Sequence, residues 1–191
     1  YLYPLNYNFK NGILDLKKFL LLEDDERYYF ELQFSNLVDP GWHKEYGFQL
    51  TFAAIAIRTE DSKGYSKNID YNSKYILPKG REFSRLIIVG GGLEILNELN
   101  KIIAAYYPLE DDFKNPLGDV VNKRIRFAIG KDLLGKINSS SRITILVGAQ
   151  DDGGGAGIGV FREVDFDPME WKGGGKKNKN DDNIYDILLI N

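Results

Sequence analysis

The 191-residue chain contains no cysteine, a single histidine, a single methionine and two tryptophans. Without thiols there are no disulfides, thiolate zinc sites, iron–sulfur clusters or cysteine nucleophiles. With His43 as the only imidazole, a three-histidine metal site within one chain is excluded, and a serine triad would have to run through that residue. Carboxylates remain for catalysis, and no motif marks a pair held at glycosidase separation. An excess of charge is lacking too: Lys plus Arg is 25, Asp plus Glu is 28 and the net charge is −3. That balance offers no sequence-independent grip on nucleic acid. No apolar run reaches the roughly 18 residues that span a bilayer, and no basic segment precedes an apolar one at the N-terminus. The start at Tyr1 fits a processed secreted protein or a fragment.

What is present suits one domain covering 1–191. Hydrophobic residues make up 43% of the chain, and at this length folding buries roughly 70% of the unfolded surface without a metal or crosslink. The 12 tyrosines and 11 phenylalanines fall in short runs with Ile, Leu and Val, the composition of β-strands. Phe19 to Leu22, a charged turn at Glu23 to Arg27, and alternating Tyr28, Phe30, Leu32 and Phe34 predict a hairpin. Phe48 to Phe52 alternates and runs into continuously apolar Ala53 to Ile57, as in a central strand buried on both faces. Further strands are expected at Arg85 to Val89, Arg124 to Ile129, Arg142 to Val147, Ile158 to Val164 and Tyr185 to Ile190. In Leu93 to Tyr107, Leu93, Leu96, Leu99, Ile103 and Tyr106 recur at helical spacing, so period alone predicts a helix. Glu60 to Ser73, Asp151 to Gly159 and Lys172 to Asn183 are polar or glycine-rich and are expected to stay outside the core. No repeat is present, and many short strands point to an all-β antiparallel sandwich or jelly roll.

Gly90-Gly91-Gly92 lacks the spacing of a phosphate-binding turn and is expected to be a strand-ending bend. The glycines from Gly153 to Gly159 enter a β-like run, as a loop does. Adjacent aspartates in such loops suit calcium, which takes six to eight oxygens; Asp151, Asp152, Asp181 and Asp182 are the candidates, although aspartate also belongs in turns for conformational reasons. His43 is expected to be an exposed loop residue. Trp42, Tyr46 and Trp171 lie next to loops, where aromatic rings can stack on sugars. Asn138-Ser139-Ser140 is an N-glycosylation sequon ahead of a strand.

Several blocks, taken in order, resemble the C-terminal binding-module family of glucodextranase, described as surface-layer-homology-like and also found at the ends of archaeal amylopullulanases. Tyr1-Leu2-Tyr3-Pro4 with Phe9, Gly12 and Asp15-Leu16 is similar to that family's YxYP, F, G and DL. Tyr28-Tyr29-Phe30, Phe34-Ser35-Asn36-Leu37, Pro40 with Trp42, and Gly47-Phe48 follow. Late in the chain come Gln150-Asp151, Phe161-Arg162-Glu163-Val164, Trp171 with Gly173-Gly174, and Asp186-Ile187-Leu188. The resemblance implies a noncatalytic, extracellular β-sandwich of the carbohydrate-binding-module type that holds polysaccharide or cell-surface glycan, and the loop aspartates add the expectation of structural calcium. It also implies strands in place of the helix at Leu93 to Tyr107. Two departures stand out: the acidic, glycine-rich segment that precedes YxYP in the family is missing, and Asp39-Pro40-Gly41-Trp42 has one residue more than the family's NPW. A second expectation is a structural subunit of a filament, sheath or surface layer that self-assembles by strand addition at sheet edges, through Tyr1 to Phe9 and Ile184 to Ile190.

Overall fold

The computed structural model describes residues 1–41, 43–60, 62–108, 116–155 and 157–191. Two antiparallel sheets face each other across a shared core. The smaller has the order β1-β2-β8-β7. Its β1 (Leu16–Glu23) and β2 (Arg27–Phe34) form the expected hairpin. Asp24 closes the turn, its Oδ1 accepting the Glu26 and Arg27 amides at 2.9 and 2.7 Å. Along β2, Tyr28, Phe30, Leu32 and Phe34 point inward, and β8 (Arg124–Gly130) does the same with Ile125, Phe127 and Ile129. Phe30 pairs with Phe127 in register, and their rings stack with centroids 5.0 Å apart. β7 is the two-residue Gly118–Asp119.

The larger sheet runs β6-β5-β4-β3-β9, and the far edge of β9 (Arg142–Asp151) carries both β10 (Val160–Phe161) and β11 (Asp186–Ile190). At its centre, β3 (Thr51–Arg58) is buried on both faces, as its continuous apolar text requires. Ile55 and Ile57 face the core between the sheets. Phe52, Ala54 and Ala56 face a second apolar layer, made with Leu86 and Ile88 of β4 (Arg85–Gly90), Phe161, and Ile69, Leu77, Phe83 and Ile184 from long connections. Alanine at alternate positions leaves room for those connections to lie flat on the sheet.

Leu93 to Tyr107 forms the strands that the family resemblance implies and not the helix that period alone predicts: β5 (Gly92–Asn97) and β6 (Ile102–Tyr106) pair antiparallel. The helical spacing loses because Asn97 Oδ1 collects the Leu99 and Lys101 amides at 3.0 and 3.1 Å, and Asn100 sits at φ 55°, which closes a turn where a helix would continue. The polar connections are also not wholly outside the core. Ile69 joins the second layer, and Asn183 and Lys176 are buried. Asn183 Oδ1 accepts the Val164 amide at 3.0 Å and the Lys176 ammonium at 2.7 Å, while its Nδ2 donates to the Asn72 carbonyl at 2.6 Å. Burial holds the Lys176 amine below the usual lysine range. Ile158 to Val164 contributes only two strand residues, and a single helical turn, α1 (Lys131–Leu134), follows β8.

Candidate functional site

A cleft of about 590 Å3 opens at the end of the larger sheet where β3 begins and β9 finishes. Its walls come from His43, Gln49 and Leu50 before β3, Gln150 to Gly154 at the end of β9, Arg162 just after β10, and Trp171. The strand pairing of β3 with β9 brings the first two groups together: the Gln150 amide donates to the Leu50 carbonyl at 3.0 Å. Leu50 is buried at φ 66° and His43 sits at φ 55°. A left-handed backbone at a bulky side chain costs about 1–3 kcal/mol and persists only where the surroundings over-determine it. Here the buried side chain and the Gln150 bond do so.

The acidic side of the cleft is set by turn chemistry. Asp151 Oδ1 accepts the Gly153 amide at 3.1 Å, and Asp152 Oδ1 accepts the Gly154 amide at 2.9 Å. Both glycines have positive φ, 65° and 79°, which other residues adopt only with strain. Farther along, the loop rests on the β4–β5 bend so closely that a Cβ on Gly91 would fall 1.9 Å from the Gly157 carbonyl oxygen. The bend at Gly90 to Gly92 is therefore a packing surface for this loop, and Gly91 donates its amide to the Ile158 carbonyl at 3.1 Å.

The cationic and aromatic side is held by Arg162, whose side chain is largely buried. Its Nε donates to the Gln150 carbonyl at 2.9 Å and its Nη2 lies 3.4 Å from Asp151 Oδ1. The guanidinium is 5.7 Å from the Trp171 ring centroid and 6.0 Å from that of Phe9. Phe9 meets Trp171 edge to face at 6.0 Å. Trp171 is thus fixed by a cation and a ring, yet stays 36% exposed at the cleft. Gln49 Oε1 accepts the Gly41 amide, and Gln150 Nε2 donates to the Ile158 carbonyl, each with further amide capacity. An exposed indole beside amides and carboxylates suits a ligand that is apolar on one face and hydroxyl-rich at its edge.

Trp171, Asp151 and Asp152 are brought together; the other expected site residues are not. Trp42 lies outside the described residues. Tyr46 is buried, with its ring stacked 5.4 Å from that of His43, its hydroxyl accepting the Gly157 amide at 3.2 Å, and its pKa raised by burial. It supports the loop from below and offers no face to a sugar. Asp181 Oδ2 accepts the Lys177 and Asn178 amides, and those bonds hold its carboxyl below the usual range. Asp182 Oδ1 accepts the Ile184 amide. Among the described residues no three acidic or imidazole side chains converge on a metal position. His43 is not the expected exposed residue. It is half-buried in the cleft wall, with Nδ1 3.1 Å from buried Glu45. Its part, and those of Gln49, Gln150 and Arg162, depend on pairing between distant segments and have no local signature.

The match to known families decides the relationship: the family model for the C-terminal binding module, surface-layer-homology-like, of glucodextranase covers residues 1–191. The chain belongs to this family. Among curated proteins no match was found. As a glucodextranase-type binding module, the chain is placed among domains whose described role is binding, in keeping with a cleft built from an aromatic ring and amides. No helix among the described residues is long and apolar enough to cross a membrane.

Proposed function

We propose that the protein is a noncatalytic, extracellular module that holds a polysaccharide or cell-surface glycan in the cleft at the β3–β9 end. The observation that carries this is Trp171, immobilised by Phe9 and Arg162 and still exposed beside Gln49, Gln150 and Asp152. A pyranose would lay its C–H face on the indole and direct its hydroxyls to the amides and to Asp152. Ligand edges that are hydroxyl-rich and uncharged fit best, because Asp151 already occupies the Arg162 cation. Affinity electrophoresis through gels containing soluble polysaccharides tests the reading. Retardation by one of them should be lost in Trp171→Ala while the melting temperature stays close to that of the parent. Equal migration of parent and variant in every gel, or equal retardation, would sink it.

A second reading, a structural subunit of a filament, sheath or surface layer, is favoured by β6. Ile102 and Ile103 are exposed on this outer strand, and Tyr107 beyond it is exposed as well. Uncharged β-branched edges recruit further strands. Of the chain ends first expected to serve this purpose, β11 pairs with β9 within the chain and keeps only its outer edge open, and Leu2 bridges Gly174. Sedimentation of the parent against Ile103→Lys distinguishes the readings, since an assembly built on β6 should dissociate in the variant.

A further inference from the structure

On the opposite side from β6, the two sheets end in β1 and β11, and between these edge strands runs an apolar groove of about 460 Å3. Phe19 and Leu21 of β1, Leu188 and Ile190 of β11, and Ile143 line it, with Asn138 at its margin. Open apolar edges are hazards that extracellular proteins cover or charge. Apart from Asn138 and Ser141, the polar groups at this groove are few, and no lining side chain is charged.

Asn138 is the asparagine of the one Asn-x-Ser/Thr sequence in the chain. It is exposed in the turn between α1 and β9. Its Oδ1 accepts both the Ser140 amide at 2.9 Å and the Ser140 hydroxyl at 2.6 Å, and its own amide N–H donates to Ser141 Oγ at 3.0 Å. Those bonds fix the side chain by its oxygen. Among the described residues Nδ2 has no hydrogen-bond partner, so the nitrogen that a glycosyl donor must meet is the free end. The turn itself is anchored from below, the Ile137 amide donating to the Tyr28 hydroxyl at 2.8 Å.

We infer that Asn138 carries an N-linked oligosaccharide and that this glycan lies over the β1/β11 groove, shielding the two strand edges from pairing with other chains. The inference rests on the extracellular part of the reading above and not on the Trp171 cleft. In the transfer, Nδ2 attacks C1 of a lipid-phosphate-linked oligosaccharide: the N–C1 bond forms, the C1–O bond breaks with its electron pair leaving on the phosphate, and Nδ2 loses a proton. The first sugar starts at the groove margin, where its C–H face can pack on Phe19 while its hydroxyls face water. One covalent ligand thereby covers apolar surface drawn from both sheets.

The test is secretion of the full chain from an N-glycosylating host, followed by intact-mass and glycopeptide analysis. The expected result is a glycan at Asn138 that is lost in Asn138→Gln and in Ser140→Ala but kept in Ser139→Ala. Folded secreted protein with unmodified Asn138 overturns the inference. For the shielding role, Asn138→Gln should bind more of an apolar dye and sediment as larger species, and adding Leu188→Lys should return it to the parent's sedimentation. If Asn138→Gln matches the glycosylated parent in both dye binding and sedimentation, the groove assignment fails. Polysaccharide retention by Asn138→Gln is read in parallel. Its loss in Trp171→Ala alone separates failure at the cleft from failure at this turn.

Discussion

The Arg162 guanidinium lies 5.7 Å from the centroid of the Trp171 ring, and the same side chain donates to the Gln150 carbonyl and pairs with Asp151. One residue therefore ties the aromatic and the acidic sides of the cleft together. Replacing it by methionine keeps much of its packing and removes the charge. Arg162→Met is expected to weaken polysaccharide retention roughly fivefold, the factor that about 1 kcal/mol represents. Arg162→Lys should fail to restore it, since an ammonium cannot serve carbonyl, carboxylate and ring with one planar fork. Affinity electrophoresis of the two variants beside the parent measures this.

Gly91→Ala is a test of the loop's seat. A methyl group 1.9 Å from the Gly157 oxygen forces the 151–159 loop away from the β4–β5 bend. The expected cost is about 1–3 kcal/mol, as for other overpacked sites, with retention falling because Asp152 moves with the loop. Thermal unfolding and gel retardation of the same preparation separate the two effects.

Asn183→Ala should destabilise the fold by about 3 kcal/mol, because it strands the buried Lys176 ammonium and the Val164 amide together. Asn180→Ala, three residues earlier in the same polar run but exposed, should stay within about 0.5 kcal/mol of the parent. Urea midpoints at equal m-value report both.

Alkaline stability follows from the tyrosines. Burial, the leading cause, raises the Tyr71 and Tyr185 hydroxyls and lifts Tyr1 to about 12, and the Glu94 hydrogen bond lifts Tyr107 to about 12, against a reference of 10.0. These groups keep their protons in the folded state while the unfolded chain loses them. Their contribution is complete below about pH 10 and is lost as pH rises toward 12. Urea midpoints taken at about pH 9 and about pH 11 should fall between the two, and the native chain should show less tyrosinate absorbance than the denatured chain at the higher pH. Unchanged midpoints would refute the burial argument.

Chelation addresses calcium directly. Asp151, Asp152, Asp181 and Asp182 all have backbone amides on their carboxylates. Those bonds leave carboxylate lone pairs free for a cation; structural calcium on these loops would make the melting temperature fall in excess chelator, as mass action requires of a bound ion, and an unchanged melting temperature rules it out.

Local text was enough for the β1–β2 hairpin, because Asp24, the alternation of Tyr28 to Phe34 and the turn all act within a few residues. It was enough for β3, where unbroken apolar text signals burial on two faces. It failed at Leu93 to Tyr107: five residues at helical spacing could not register that Asn97 binds two amides ahead of it or that β4 offers Gly92–Asn97 a partner. Asn183 was illegible for a related reason. Its bonds reach Asn72, Val164 and Lys176, and only the folded chain makes a polar run into a core element. At the cleft, Trp171, Asp151 and Asp152 could be selected by residue type and loop setting. His43 and Gln49 could not, since what places them opposite Gln150 is a strand pairing with a hundred residues between its partners.

That pairing also governs the time course of folding. Thr51 meets Ala149 across the β3–β9 ladder, about a hundred residues apart along the chain, and closing such a span costs chain entropy before any contact repays it. The β1–β2 hairpin can form in microseconds, whereas a topology dominated by such distant contacts assembles on the millisecond-to-second scale. His43, Leu50, Gln150 and Arg162 have no common surroundings until β9 docks. Ligand-binding competence is thus a late event on the pathway, and a newly made chain passes through a stage with its hairpin in place and its cleft not yet in existence.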